Sequence, residues 1–259
     1  MNRQGQFLFG LRPHPAAWLP VRPPENPGQD WVRHWGDAEF RLQPHPRHGL
    51  PYGQDRLVLI LLATAAVRQR TPHVTLPAAY QMLRLFGLPP SGRNYARWRD
   101  RLNRVLHTRF SFVMGPLAIT GRLCEDAELW FDRETDELNR IKLSGPFWDY
   151  VSANYLPLEL GVVQALTDSP STLDFYVWLT ERAYRVRPDR YVRVEYFGRG
   201  GLGERLGVTG WRDPRDFRKR VRSWVGQLRQ CWMSLPAVIQ EKEDALVVCH
   251  LQPPRNWGI

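Results

Sequence analysis

The feature that most constrains the fold is a repeat of long period. Phe86-Gly87-Leu88 reappears as Leu206-Gly207-Val208, and Trp98, Arg101, Leu102 and Val105 reappear at identical spacing as Phe217, Arg220, Val221 and Trp224. A period of roughly 120 residues is far longer than that of a solenoid, so it describes two related modules. Each copy carries the same order of periodicities. In the first, Leu57, Ile60, Leu61, Thr64 and Val67 recur every three or four residues and predict a helix over 55–70. An extended piece at 73–76 follows. Pro77 is placed in the first turn of a second helix over 78–86 that Gly87 stops, and a third helix runs over 94–107. Alternation at Phe110 and Phe112, Leu117 and Ile119, Leu129 and Phe131, and then 138–143 predicts antiparallel strands. The second copy has an amphipathic helix over 171–185, an extended 191–196, a short helix over 202–206 and a long helix over 214–232. Strands at 237–240 and 245–250 flank the turn Glu243-Asp244. Helix, strand, helix, helix, strand, strand is the order of a winged helix-turn-helix.

The predicted class is therefore α+β, with two tandem winged-helix domains at 49–146 and 147–259 behind a proline-rich arm at 1–48. Residues 147–166 are expected to join the modules. Nine of the 22 prolines fall in residues 1–51, so the arm cannot be helical for long and is expected to be an appendage. Within it, 31–35 and 38–42 flank Gly36-Asp37, whose leading glycine suits a type II′ hairpin turn.

Charge narrows the class of partner. There are 36 Lys plus Arg against 26 Asp plus Glu, a net charge of +10, and all the basic residues but Lys142, Lys219 and Lys242 are Arg. Arg forks onto phosphate and guanine edges, although a GC-rich genome produces the same bias. Eleven Trp supply volume for a core and argue against a disordered polyelectrolyte. In the third helix, Tyr95, Trp98, Leu102, Val105 and Leu106 form the core stripe; Arg93, Arg97 and Arg104 lie opposite, Arg101 on a flank and Asn94 near the start. In the long helix of the second module the stripe is Phe217, Val221, Trp224, Val225, Leu228 and Trp232, opposed by Arg212, Arg215, Lys219 and Arg222. These are the candidate DNA-binding residues, with Lys242 on the wing, because a helix-turn-helix lays its later helix into the major groove. Asp100 and Asp216 interrupt the ridges and are expected to pair with Arg97, Arg104 or Arg220.

Catalytic and cofactor motifs are set aside. Residues 198–203 match G-x-G-x-x-G, but the helix that follows is short and no second parallel strand comes after it, so a glycine-rich turn is the better reading. His45-Pro46-Arg47-His48 lacks the histidine spacing of a nicking enzyme and reads as a surface loop. Cys124, Cys231 and Cys249 are far apart, without C-x-x-C, so neither a disulfide framework nor a metal site is expected. No cofactor and no enzymatic activity are expected. The longest apolar run, 57–67, is too short for a bilayer, and Phe7 to Leu11 lack signal-peptide order, so the expectation is a soluble cytoplasmic protein without a membrane partner.

Particular runs resemble a known family. Gly49-Leu50-Pro51-Tyr52-Gly53 before the Leu-rich helix, Phe86-Gly87-Leu88, the run SPSTLDFYVWLT at 169–180 and Asp216-Phe217-Arg218-Lys219 are similar to the plasmid-encoded RepA replication initiators. The resemblance covers about residues 30–254. It implies a non-enzymatic initiator that binds double-stranded DNA at direct repeats (iterons) of a plasmid origin, helps to open it, and recruits the host initiator and helicase-loading proteins. It also implies copy control and a homodimer that represses its own promoter, with the dimer contact carried by 31–42 and the strands after Phe110. The run at 169–180 is expected to pack a core. A stand-alone repressor of the same fold, a replication nicking enzyme and a scaffold for acidic protein are the alternatives.

Overall fold

A computed structural model describes residues 7–11, 19–35, 38–129, 139–208, 213–240 and 243–254. The chain opens with β1 (Phe7–Leu11) and the hairpin strands β2 (Trp31–Trp35) and β3 (Ala38–Gln43). A 3-10 turn at Gly53–Asp55 leads into α1 (Arg56–Gln69), β4 (His73–Leu76), α2 (Ala79–Leu85) and α3 (Gly92–His107). Strands β5 (Arg109–Met114), β6 (Leu117–Arg122), β7 (Cys124–Glu128) and β8 (Asn139–Leu143) follow. Next come α4 (Gly145–Asn154), β9 (Tyr155–Glu159), α5 (Leu160–Ala165) and α6 (Pro170–Tyr184). The chain continues through β10 (Tyr191–Glu195), α7 (Leu202–Arg205), α8 (Pro214–Cys231), β11 (Ala237–Gln240) and β12 (Ala245–Cys249).

The class is mixed α+β, and the two halves share one plan. The strand between the first and second helices pairs antiparallel with the last strand, which pairs with the middle one: β4-β8-β7 in the first half and β10-β12-β11 in the second. The repeat read from the sequence recurs in the backbone and the packing. Gly87 and Gly207 both adopt left-handed φ, +69° and +60°, and Trp98 with Phe217, Leu102 with Val221 and Val105 with Trp224 are buried pair by pair.

Helix α1 is buried from Arg56 to Val67, as its apolar surroundings on every side require. The same holds for α6 between Thr172 and Thr180, which corrects the expectation of an amphipathic helix there. Pro77 precedes the N-cap Ala78, outside the first turn of α2.

The arm is not an appendage. Its β1 pairs with β9 from the connecting segment, and Leu8, Phe9 and Leu11 are buried in the common core. The hydroxyl of Thr64, midway along α1, accepts the Phe9 N–H at 2.9 Å and donates to Ile60 O at 2.6 Å. The hairpin pairs as expected, Trp31 opposite Leu42; its turn, Gly36-Asp37, lies outside the described residues. Strands β5 and β6 extend this hairpin into a four-stranded sheet, β2-β3-β5-β6, and leave β7 and β8 to complete the sheet of the first module. Alternation marks a strand and its buried face but names no partner, which pairing alone decides. The strand predicted at Leu129 and Phe131 begins instead at Cys124; Phe131 and Leu138 lie outside the described residues.

The hairpin also reaches the second module. Arg33 of β2 lies against the turn at Gly207, where a Cβ would collide with its guanidinium, and burial lowers its pKa to about 10. Gly207→Ala is expected to lose about 1–2 kcal/mol from the left-handed backbone alone, plus the displacement of Arg33. Gly87→Ala, where the nearest non-local atom to a Cβ is 3.9 Å away, is expected to lose only the backbone contribution. Urea denaturation of the two variants checks the difference.

Candidate nucleic-acid interface

Helix α8 is started by Asp213, whose carboxylate accepts the Arg215 N–H at 2.8 Å, and by Pro214 in the first turn. Its predicted core stripe is buried throughout. The run at 169–180 grips that stripe. Phe175 stacks on Trp224 at 5.3 Å between centroids, Trp224 Nε1 donates to Ser171 Oγ at 3.2 Å, and Thr172 Oγ1 donates to Gln227 Oε1 at 3.0 Å. At the far end Trp232 Nε1 donates to Glu159 Oε1 at 2.9 Å, with its ring edge-on to Tyr176. With one face held in this way, Arg215, Lys219 and Arg222 stand exposed on the opposite face, at helical spacings of four and three residues. Arg218 turns toward the strands, where it pairs with Asp244 in the turn before β12 at 2.5 Å. Arg212 and Lys242 lie outside the described residues.

Helix α3 presents less than expected. Its cap is Ser91, whose hydroxyl accepts the Asn94 N–H at 3.4 Å, while the Asn94 side chain donates to Pro89 O at 2.8 Å and ties the preceding loop to the helix. Arg93 and Arg97 are exposed. Arg101 is buried at 9% exposure, and burial lowers its pKa. Arg104 turns inward. Its Nε and Nη2 donate to the buried Asp55 carboxylate at 2.6 and 3.0 Å, and its guanidinium stacks over the Tyr52 ring at 4.8 Å. Arg101 and Arg104 are thus corrections to the predicted ridge, because an acid 49 residues away claims the second and the core encloses the first. Asp100 pairs with Arg99 at 3.7 Å rather than with Arg97 or Arg104. Arg104→Gln is expected to lose about 2–3 kcal/mol of stability, since it strands a buried carboxylate. Arg97→Gln is expected to stay within about 0.5 kcal/mol of the parent. Denaturant titration separates the two.

The motifs set aside keep their structural roles. Gly198 and Gly200 adopt left-handed φ, and the turn closes on itself, with Glu204 accepting from Gly200 N and Arg205 Nε donating to Gly200 O at 2.6 Å. The helix it opens, α7, has four residues. Residues 45–49 form a turn closed by a His45–Gly49 bridge, and no three His, Cys, Asp or Glu among the described residues are placed to hold a metal ion. No helix among the described residues is long and apolar enough to cross a membrane.

Residues 119–197, from β6 through β10, match the family model for plasmid encoded RepA protein, RepA_C. That segment contains α6, whose run at 169–180 bears the resemblance seen in the sequence, and the elements α4, β9 and α5 that join the halves. No curated protein matches the chain. The fold is similar to that of a crystal structure of a selenomethionine derivative of domains 2 and 3 of RctB. The TM-score is 0.62 at 14% identity, over 92% of this chain and 99% of that one. A second crystal structure of RctB domains 2–3 gives a TM-score of 0.55 at 14% identity, over 90% of this chain and 86% of that one.

Proposed function

We propose that the chain is a non-enzymatic plasmid replication initiator that binds double-stranded DNA at origin direct repeats, each half acting as a winged helix-turn-helix. One observation carries this reading: a single arrangement, duplicated. Both α3 and α8 follow a short helix and a left-handed glycine, bury an apolar stripe, and turn Arg or Lys to solvent from their first turns. That is the position from which such a helix enters the major groove. The RepA_C match supports the initiator role.

In this reading Arg93 and Arg97 serve one groove and Arg215, Lys219 and Arg222 the next, about 34 Å away along the duplex. Asn94 shapes the start of α3, and Arg212 and Lys242 are assigned to DNA from the sequence pattern. Arg104 ties α3 to Asp55 at the start of α1, and Arg101 is buried. The strands β7–β8 and β11–β12 are the wings. The union of the hairpin with β5 and β6 in one sheet supports a homodimer contact there, because β2 and β6 are sheet edges open to pairing. Contacts with the host initiator and helicase loader, autorepression, copy control and residence in the bacterial cytoplasm on plasmid DNA belong to the same reading. The test is a mobility-shift assay with DNA flanking the gene and excess unrelated competitor. Stepwise shifted species on a direct-repeat fragment are expected; binding that is blind to sequence and vanishes with salt refutes the reading.

A further inference from the structure

The C-terminal end of α3 faces a groove that DNA reading does not use. Its volume is about 960 Å³, and its lining includes His45 after β3, Asn103 and His107 of α3, Arg109 and Arg122 at the ends of β5 and β6, and Asp126 of β7. Arg109 and Arg122 stand directly opposite one another across the β5–β6 ladder, so their side chains share one face. Like charges so placed destabilise a sheet. Both are exposed, and neither has an ion-pair partner among the described residues. Three acids also line the groove: Asp30 pairs with Arg41 at 3.3 Å, Glu125 pairs with Lys142 at 2.8 Å, and Asp126 accepts only the adjacent Ala127 N–H at 2.9 Å.

Beside the arginine pair three imidazoles cluster, His45 stacked on His48 and His107 tilted against both. The ring centroids of His45, His48 and His107 lie 4.8, 5.2 and 4.7 Å apart. His45 Nδ1 accepts the Arg47 N–H at 3.2 Å, which leaves the proton of a neutral ring on Nε2, and His107 Nδ1 donates to Asn103 O at 2.9 Å. Burial first, then the charges of His107, Arg47 and Arg122, lowers the pKa of His45. Burial, His107, His45 and Arg47 lower that of His48 against the opposing pull of Asp100. Among the described residues the two arginines thus outnumber the one groove carboxylate, Asp126, that has no ion pair of its own. At about 1.5 Å per residue, Arg93 and His107 are about 21 Å apart along α3, so the groove is a place separate from the DNA-reading end.

We propose that this groove binds a phosphate-bearing ligand of nucleotide size, its phosphate held between Arg109 and Arg122 within reach of the His45 and His107 imidazoles. Guanidinium forks match phosphate oxygens, and a bound dianion cancels the repulsion across the ladder. The volume falls in the range of about 300–1,000 Å³ usual for small-ligand sites. A bound phosphate favours the protonated form of the His45 imidazole, which burial and its neighbours otherwise disfavour. The inference does not depend on DNA binding by α3 or α8.

The test follows the histidine ring resonances of the full chain by NMR, with ATP, inorganic pyrophosphate and a short single-stranded oligothymidylate as probes. Saturable shifts of His45 and His107 are expected, with a dissociation constant of about 1 mM or tighter. Arg122→Gln is expected to weaken it roughly tenfold, and Arg109→Gln likewise, with melting temperatures unchanged or raised. Saturation by ATP or pyrophosphate supports the site with a free nucleotide as its source, and saturation by the oligonucleotide alone supports it with a nucleic-acid strand as the source. The proposal is overturned if no probe saturates, if both variants bind as tightly as the parent, or if both variants melt lower because the arginines are structural.

Discussion

Replacing Arg56 with Met is expected to lower stability by about 3–5 kcal/mol, the cost of breaking a buried ion pair from one side. Arg56 begins α1 with no side-chain exposure, and its Nε donates to Asp174 of α6 at 2.6 Å. Three more of its five N–H groups are used. Nη1 donates to Gly53 O and Pro20 O, and Nη2 to Leu19 O at 2.6 Å. One side chain therefore ties the arm, the entry to α1 and the first helix of the second half. Methionine fills much of the volume but removes every donor, leaving three buried carbonyls and the Asp174 carboxylate without this partner. Chemical denaturation measures the loss. Arg56→Met combined with Asp174→Leu is expected to recover only the part due to the stranded carboxylate, because the three carbonyls still lack donors. A single variant as stable as the parent would show that the pair contributes nothing to holding the halves together.

The second large effect is expected on DNA. Arg215→Ala with Lys219→Ala is expected to weaken repeat binding by about 2–4 kcal/mol, roughly 30- to 1,000-fold. Each lost phosphate contact should also flatten the dependence of log K on log salt by about 0.9. Both side chains are exposed on the face of α8 opposite its buried stripe, so the melting temperature should not move. Titrations at several salt concentrations read affinity and slope together. A reduced slope with unchanged sequence preference identifies phosphate contacts, whereas relaxed preference at one base pair identifies a base contact. Unchanged affinity removes α8 from the interface.

These two predictions differ in how much of their basis was visible in the chain alone. The α8 face could be read directly. A buried stripe at Phe217, Val221, Trp224, Val225 and Leu228 requires that Arg215, Lys219 and Arg222 point away, since 3.6 residues per turn leave them no other direction. The Arg56–Asp174 pair could not be read, because its partners are 118 residues apart. The same distinction separates the two candidate ridges. Arg104 sits opposite the core stripe of α3 just as the helical wheel requires, yet it is taken up by Asp55 at the foot of α1, and a wheel shows nothing of what packs against a helix.

What the sequence by itself determined is therefore local or periodic: the helices α1–α3 and α6–α8, the glycine stops at 87 and 207, the hairpin and the duplicated order of elements. Each follows from interactions within a few residues or from a burial pattern of fixed period. Only the tertiary structure decided that the proline-rich arm supplies β1 to the core, that β5 and β6 join the hairpin, and that Arg101 and Arg104 are internal. It also decided that Arg109 and Arg122 face each other beside three histidines. The physical reason is common to all four: strand pairing and the fate of a charge are set by groups brought together across the chain, and no local propensity encodes which distant group arrives.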